Sequence, residues 1–296
     1  MVYFVQQCLN GLHSAALYAL LAFGYVTVNG LLRQTNLAYG PVFALSGQIF
    51  ILATTAAWSG LWLEWWAALI VGFAFMMLYA WAMGAGLAHY VLAPLRNAAS
   101  NSLVVATLGA GIALAELARI ASDTRDVWLP PFLATPIPFV RGESFSATLT
   151  LNQMLGIVVA AIVLAAMTAR LRFSAAGRQW RAVCDDPFAA SLCGVDTPAV
   201  FRRAAISSCL LAALAGAIAA FYYGNIGFGA GLIYGLKVLF ITAAGSYSDP
   251  DRASLGAFAY GLGEGLWSGY FPIEWRDGWM LAFLVALLVL RKPAAD

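Results

Sequence analysis

The sequence predicts an all-α, polytopic transmembrane helical bundle, and three observations predict it. Of 296 residues, 62% are hydrophobic and only 10% charged, with a mean hydropathy of +0.81. Charged residues make up about a quarter of a soluble domain, so this chain cannot clothe itself in a water-facing surface. The apolar residues are also gathered into blocks near the ~20 residues that a membrane helix needs. The blocks run roughly over 11–32, 38–57, 64–92, 100–120, 150–170, 204–223, 232–247, 253–271 and 278–291, which makes eight to ten crossings the expectation. Finally, the basic residues segregate. With nine crossings and the N-terminus outside, Arg33, Arg96, Arg170, Arg172, Arg178, Arg181, Arg202, Arg203, Arg252, Arg291 and Lys292 all face one side. These are eleven of the sixteen Lys and Arg residues. Only Arg125, Arg141 and Arg276 face the other, and cytoplasmic loops are the ones enriched in Lys and Arg.

Taken in order, the N-terminal MVYFVQQCLNG has neither a basic lead-in nor a small-residue cleavage site, so the first apolar segment reads as retained. Trp58, Trp62, Trp65 and Trp66 cluster at one expected outer interface and Trp275 and Trp279 at another, as amphipathic indoles do at the headgroup level. The longest outer connection, about 121–149, contains Pro130, Pro131, Pro136 and Pro138, which exclude a regular helix there. It is either a docking surface for an external partner or a cap over helix ends. Cys8, Cys184, Cys193 and Cys209 show no paired spacing, which argues against a disulfide framework or a zinc site. His13 and His89 read as packing or interface residues. The whole chain, 1–296, reads as one domain.

The longest basic interruption, 171–203, is expected in the cytosol. Within it, Asp186 followed by Pro187, Phe188, Ala189, Ala190, Ser191, Leu192, Cys193 and Gly194 is a complete short-helix signature. Asp accepts the orphan amides of a helix start, Pro fits the first turn, and Gly ends the helix in a left-handed conformation. So short a helix is not stable alone. It needs a surface, either a partner groove that accepts Phe188 and Leu192 or the lipid headgroups, with Arg178 and Arg181 leading into it.

Several ionisable or helix-breaking residues fall inside apolar blocks, where each is costly and defaults to a functional reading. Glu116 and Arg119 are spaced to pair on one helix. Lys237 and Glu264 lie in neighbouring blocks and are expected to pair or to bind opened helix ends. Asn36, Tyr39 and Gly40, next to Pro41, predict a helix break, which is tolerated at membrane depth only against protein or a water-filled cavity.

The run GRQWRAVCDDPFAASLCGVD resembles the coupling segment of ABC-importer permeases of the branched-chain amino-acid family. GLHSAALYALLAFGYVTVNGLLRQTNLAYG resembles that family's first helix and N-x-A-x-G turn. LAPLRNAASNSLVVATLGAGIAL, GLKVLFITAAGSY and GEGLWSGYFPIEWRD follow in the family's order, so the likeness covers nearly the whole chain. It implies a multi-pass permease of the bacterial inner membrane, forming half of a translocation pathway. Its implied partners are a second homologous permease, two cytosolic ATP-binding subunits, an external substrate-binding protein and membrane lipid, with no nucleic acid. ATP-Mg would sit on the partner subunits and no cofactor on this chain, which has no G-x-x-x-x-G-K-[ST] loop and is not expected to be an enzyme. ATP binding by the partners would then move the 186–194 helix. Asn36, Tyr39, Gly40, Glu116, Lys237, Gly245 and Glu264 become candidates for the pathway or its gate.

The chain departs from the family at Tyr39 (usually His or Gln), Pro41 (usually acidic) and 243–251 (usually richer in glycine), and at Phe188 from the Glu that opens a pattern shared more widely by importer permeases. The expected cargo is therefore branched-chain or related amino acids, with amides and urea also open, as is reduced activity. The alternative is a self-contained secondary transporter or channel. That would need a coupling-ion site, for which Glu64, Glu116 and Glu264 are the available carboxylates. The absence of a GxSxG run argues against an intramembrane serine protease.

Overall fold

A computed structural model describes residues 2–95, 100–125, 127–141, 146–227, 229–245 and 248–290. Arg96, Arg291, Lys292 and the 246–247 part of the glycine-poor turn lie outside the described residues.

The architecture is helical: α1 (Val2–Leu32), α2 (Tyr39–Ser59), α3 (Trp65–Gly86) continued through a π-helical turn (Leu87–Leu92) into α4 (Ala93–Leu95), and α5 (Ser100–Ala121). A β-hairpin follows, β1 (Pro136–Arg141) and β2 (Ser146–Thr150). Then come α6 (Leu151–Phe173), α7 (Ala175–Asp185), α8 (Pro187–Leu192), α9 (Thr197–Tyr223), α10 (Ala230–Gly245), α11 (Pro250–Tyr270) and α12 (Arg276–Leu290).

Helix α1 is apolar all round because it is the axis of the bundle; its most apolar window is completely buried. Its main partner is α11, which lies antiparallel along it. Gly261, Gly265 and Gly269 recur every fourth residue on α11, and a Cβ at Gly261 or Gly265 would stand 2.4 Å from the Cα of Ala15 or Gly11. In lipid, where no hydrophobic effect joins helices, such backbone-to-backbone approach supplies the packing energy. Helices α3, α5 and α6 are the peripheral ones, exposing Phe75, Trp81, Ile112, Ile120, Val158 and Ile162, the face expected against lipid tails.

Among the described residues, six helices are long and apolar enough to span a membrane, and seven spans result if the bent pair α10–α11 counts as one. This corrects the eight to ten crossings expected from the sequence. Counting apolar residues cannot distinguish a straight helix from a broken one. The blocks at 232–247 and 253–271 are two helices inclined by 118°, and the described part of the last block is a 15-residue helix.

The basic interruption is also shorter than 171–203. Helix α6 runs on to Phe173 and α9 begins at Thr197, two turns early, capped by Asp196 accepting from the Ala199 amide at 3.1 Å. The proline-rich connection is not wholly irregular: β1 and β2 pair antiparallel from Pro136↔Thr150, with a bulge between Pro138 and Val140. The prolines fit because the ladder is a two-stranded edge. Gln6 at the start of α1 accepts from the Thr148 amide at 2.7 Å, and the Leu129 amide donates to Gly224 O at 2.8 Å. The hairpin, the start of α1 and the end of α9 therefore share one end of the bundle. Helices α7 and α8 share the other with the end of α1, where Arg33 donates to Cys184 O at 2.7 Å and Asp185 O at 3.0 Å.

Candidate functional site

Two features concentrate the chemistry: a charged network inside the bundle and a helical ledge at its α7–α8 end. The network starts from Lys237 on α10, 2% exposed. Its Nζ lies 3.0 Å from Glu264 Oε1 on α11 and 2.9 Å from Asp277 Oδ1 on α12, and donates to Tyr18 Oη on α1 at 3.2 Å. Arg276 Nε sits 3.2 Å from both Glu264 Oε1 and Asp277 Oδ1. Two cations thus face two carboxylates, a balance that an apolar interior demands of buried charge. Tyr18 and Tyr234 flank the ammonium group, which stands 5.7 Å from each ring centroid, and Tyr260 packs edge-on against Tyr18.

Above the network lies a polar cavity of about 230 Å³. Its wall on α1 is a stripe, Gln7, Asn10, Ser14 and Tyr18, spaced three, four and four residues apart, so that all four share one helical face. The stripe descends about 16 Å from the hairpin end of the bundle. The sequence reading missed these residues, along with Tyr234, and counted Arg276 only as a loop charge. The available signal was that 3-4-4 spacing of polar residues in an otherwise apolar helix. Apolar averaging hid it.

Beside the network, the chain between α1 and α2 folds back into the bundle. The Asn36 amide donates to Tyr25 Oη at 3.4 Å, the Leu37 amide to Thr107 Oγ1 at 3.2 Å, and Asn36 Oδ1 accepts from the Ala38 amide at 3.1 Å. The expected break is therefore a side-chain-supported turn. The buried Tyr39 stacks edge-on against Tyr25, with centroids 5.6 Å apart, and its hydroxyl makes no hydrogen bond. Gly40 is where α2 meets α10: a Cβ there would lie 2.0 Å from Gly231 O and 2.6 Å from Gly235 Cα. Gly245, at the other end of α10, lies against Ala253 of α11.

Glu116 is not brought to this network. It pairs with Arg119 at 2.6 Å on the exposed side of α5.

The ledge is α7 and α8. Trp180 of α7 is buried and donates Nε1 to Thr27 O of α1 at 2.9 Å, and Arg181 Nη1 donates to Leu171 O. Arg178 is exposed. Asp186 Oδ1 accepts from the Phe188 and Ala189 amides at 2.8 and 3.1 Å, Pro187 occupies the first helical position, and Gly194 takes φ +81°. Ala190 alone turns inward, 5% exposed, against a small apolar core with Val183, Val200 and Phe201. Phe188 and Leu192 stand 73% and 75% exposed. Helix α7 and its Trp180 anchor were not anticipated.

A family profile described as a branched-chain amino acid transport system permease component matches residues 7–290. The chain belongs to this family of ABC-importer permeases. It is 29% identical over 290 residues to the LivH high-affinity branched-chain amino acid transport permease of Escherichia coli K12, covering 98% of this chain and 93% of the relative. The LivH protein of Salmonella typhimurium matches at the same identity and coverage. The BraD permease of Pseudomonas aeruginosa is 28% identical over 291 residues, 97% of this chain and 93% of its own. No solved structure matches. The permease is a multi-pass protein of the bacterial inner membrane and a transport subunit of an importer.

Proposed function

We propose that this permease forms half of a pathway importing branched-chain or related amino acids and takes its driving force through α8. In this reading the N-terminus and the β-hairpin face outward toward a substrate-binding protein. Helices α7 and α8 face the cytosol and two ATP-binding subunits, and a second homologous permease completes the pathway. ATP-Mg belongs to the partner subunits. The polar stripe, the Asn36–Gly40 turn, Tyr39, the Lys237–Glu264 network and Gly245 line the pathway or its gate; Glu116 faces outward on α5.

The observation that carries the reading is the ledge. A six-residue helix is held at both ends by its own caps, anchored through the buried Ala190, and leaves two large apolar side chains about three-quarters exposed among the described residues. Phe188 and Leu192 are both apolar and exposed, so the partner groove is expected to be apolar. The test is ATP hydrolysis by the assembled importer. Ala190→Asp forces a charge into the apolar seat of α8, and Gly194→Pro removes the left-handed end. Both should abolish substrate-stimulated hydrolysis while the permease still inserts in the membrane. Full-rate transport by this chain alone, in vesicles without ATP, would sink the reading.

A further inference from the structure

The cavity above the charged network is left with an unused acceptor. Glu264 is buried, its side chain 7% exposed, and it spends Oε1 on both Lys237 and Arg276. Its other oxygen, Oε2, is buried and accepts no hydrogen bond from any described residue, although Glu264 lines the cavity. An ionised oxygen without a donor is among the costlier things a protein interior can hold. Arg276 enters the same cavity and directs Nη1 to Ser268 Oγ, 3.5 Å away, another lining residue.

From these facts we infer that the cavity is a binding site inside the permease for a neutral amino acid held as its zwitterion. The α-ammonium donates to Glu264 Oε2, the α-carboxylate meets Arg276, and an apolar side chain lies among Tyr18, Tyr222, Tyr223 and Tyr234. The inference rests on the import reading above.

Charge decides between ligand classes. Lys237 and Arg276 already balance Glu264 and Asp277, so a net anion or cation would bring an uncompensated charge into a buried site. A zwitterion adds one charge of each sign and no net charge. The volume of about 230 Å³ falls below the ~300–1,000 Å³ of pockets for drug-sized ligands, which suits a free amino acid and excludes a peptide. The tyrosines offer broad, stiff apolar faces at little entropic cost. The stripe of Gln7, Asn10 and Ser14 gives a polar approach from the hairpin end.

The test uses the membrane-embedded permease complex in nanodiscs, purified through a tag on this chain, without the external binding protein. L-leucine is titrated in parallel with L-leucinamide, which lacks the carboxylate, and 4-methylpentanoate, which lacks the ammonium. L-leucine should bind, each analogue at least tenfold more weakly. Glu264→Gln should narrow the gap between leucine and 4-methylpentanoate, and Asn10→Leu, which plugs the stripe without touching the ion network, should remove binding. If Glu264→Gln does not assemble, the analogue comparison on the unaltered protein decides. Equal binding of all three compounds, or leucine affinity unchanged in both variants, overturns the inference. So does a permease that imports leucine in cells yet binds no amino acid here. If alanine, phenylalanine or glutamine binds with the same need for both charged groups while leucine does not, the zwitterion site stands and the branched-chain assignment fails.

Discussion

Single residues set tight constraints on this permease. Gly40 lets the backbones of α2 and α10 touch, and a methyl group there would collide with Gly231 O at 2.0 Å. Backbone cannot rotate away as a side chain can, so Gly40→Ala should destabilise the α2–α10 contact by about 1–3 kcal/mol. Gly109 on α5 meets nothing within 4 Å, and Gly109→Ala should leave stability unchanged. Thermal unfolding of the two variants in detergent, side by side, checks the contrast. Lys237 works differently, by holding two carboxylates on different helices at 3.0 and 2.9 Å. The pairing partner Glu264 was legible because an acid and a base in adjacent apolar blocks have few alternatives. Asp277 and Arg276 were not, because a charge near a block edge reads as loop until the fold turns it inward.

At the scale of one element, α8 shows how far local rules reach. Asp186, Pro187 and Gly194 specify a helix start, first turn and end through backbone chemistry alone, and the structure has all three. Asp186→Ala removes acceptors from two amides and should cost about 1 kcal/mol. Substrate-stimulated ATP hydrolysis by the importer should fall while basal hydrolysis persists, which a phosphate-release assay reads directly. The neighbouring cysteines offer a further check. Burial, reinforced by Asp185 and opposed by Arg33, pushes the Cys184 thiol up to about 12, whereas Cys193 is exposed. A raised thiol pKa stabilises the fold below the ordinary thiol value, about 8.5, and that contribution is lost as pH climbs from there toward 12. Near pH 7.5, maleimide should therefore label Cys193 and spare Cys184.

For the molecule as a whole, that labelling also reports orientation. The hairpin and the ledge occupy opposite ends of the bundle, and the proposed orientation, which follows the charge asymmetry, puts the ledge in the cytosol. In a Cys8→Ser background, a membrane-impermeant maleimide should reach Cys193 in inside-out vesicles and not in right-side-out ones. The opposite pattern would invert the topology and with it the coupling role of α8.

By itself the sequence determined the solvent, the helical class, the family and the short capped helix. The family follows from motifs that resemble it along nearly the whole chain, and the others from composition or from chemistry between residues a few positions apart. Tertiary structure alone decided that two apolar blocks form a bent pair, that Gln7, Asn10, Ser14 and Tyr18 line one cavity, and that Arg276 and Asp277 join Lys237 and Glu264. Those facts depend on which helix faces touch. In a lipid-buried bundle that choice is made by close backbone contacts, such as those at Gly261 and Gly265 with α1, between residues about 250 positions apart in the chain. Hydropathy is blind to them because it sums apolar character along the chain and carries no information on which helix faces meet.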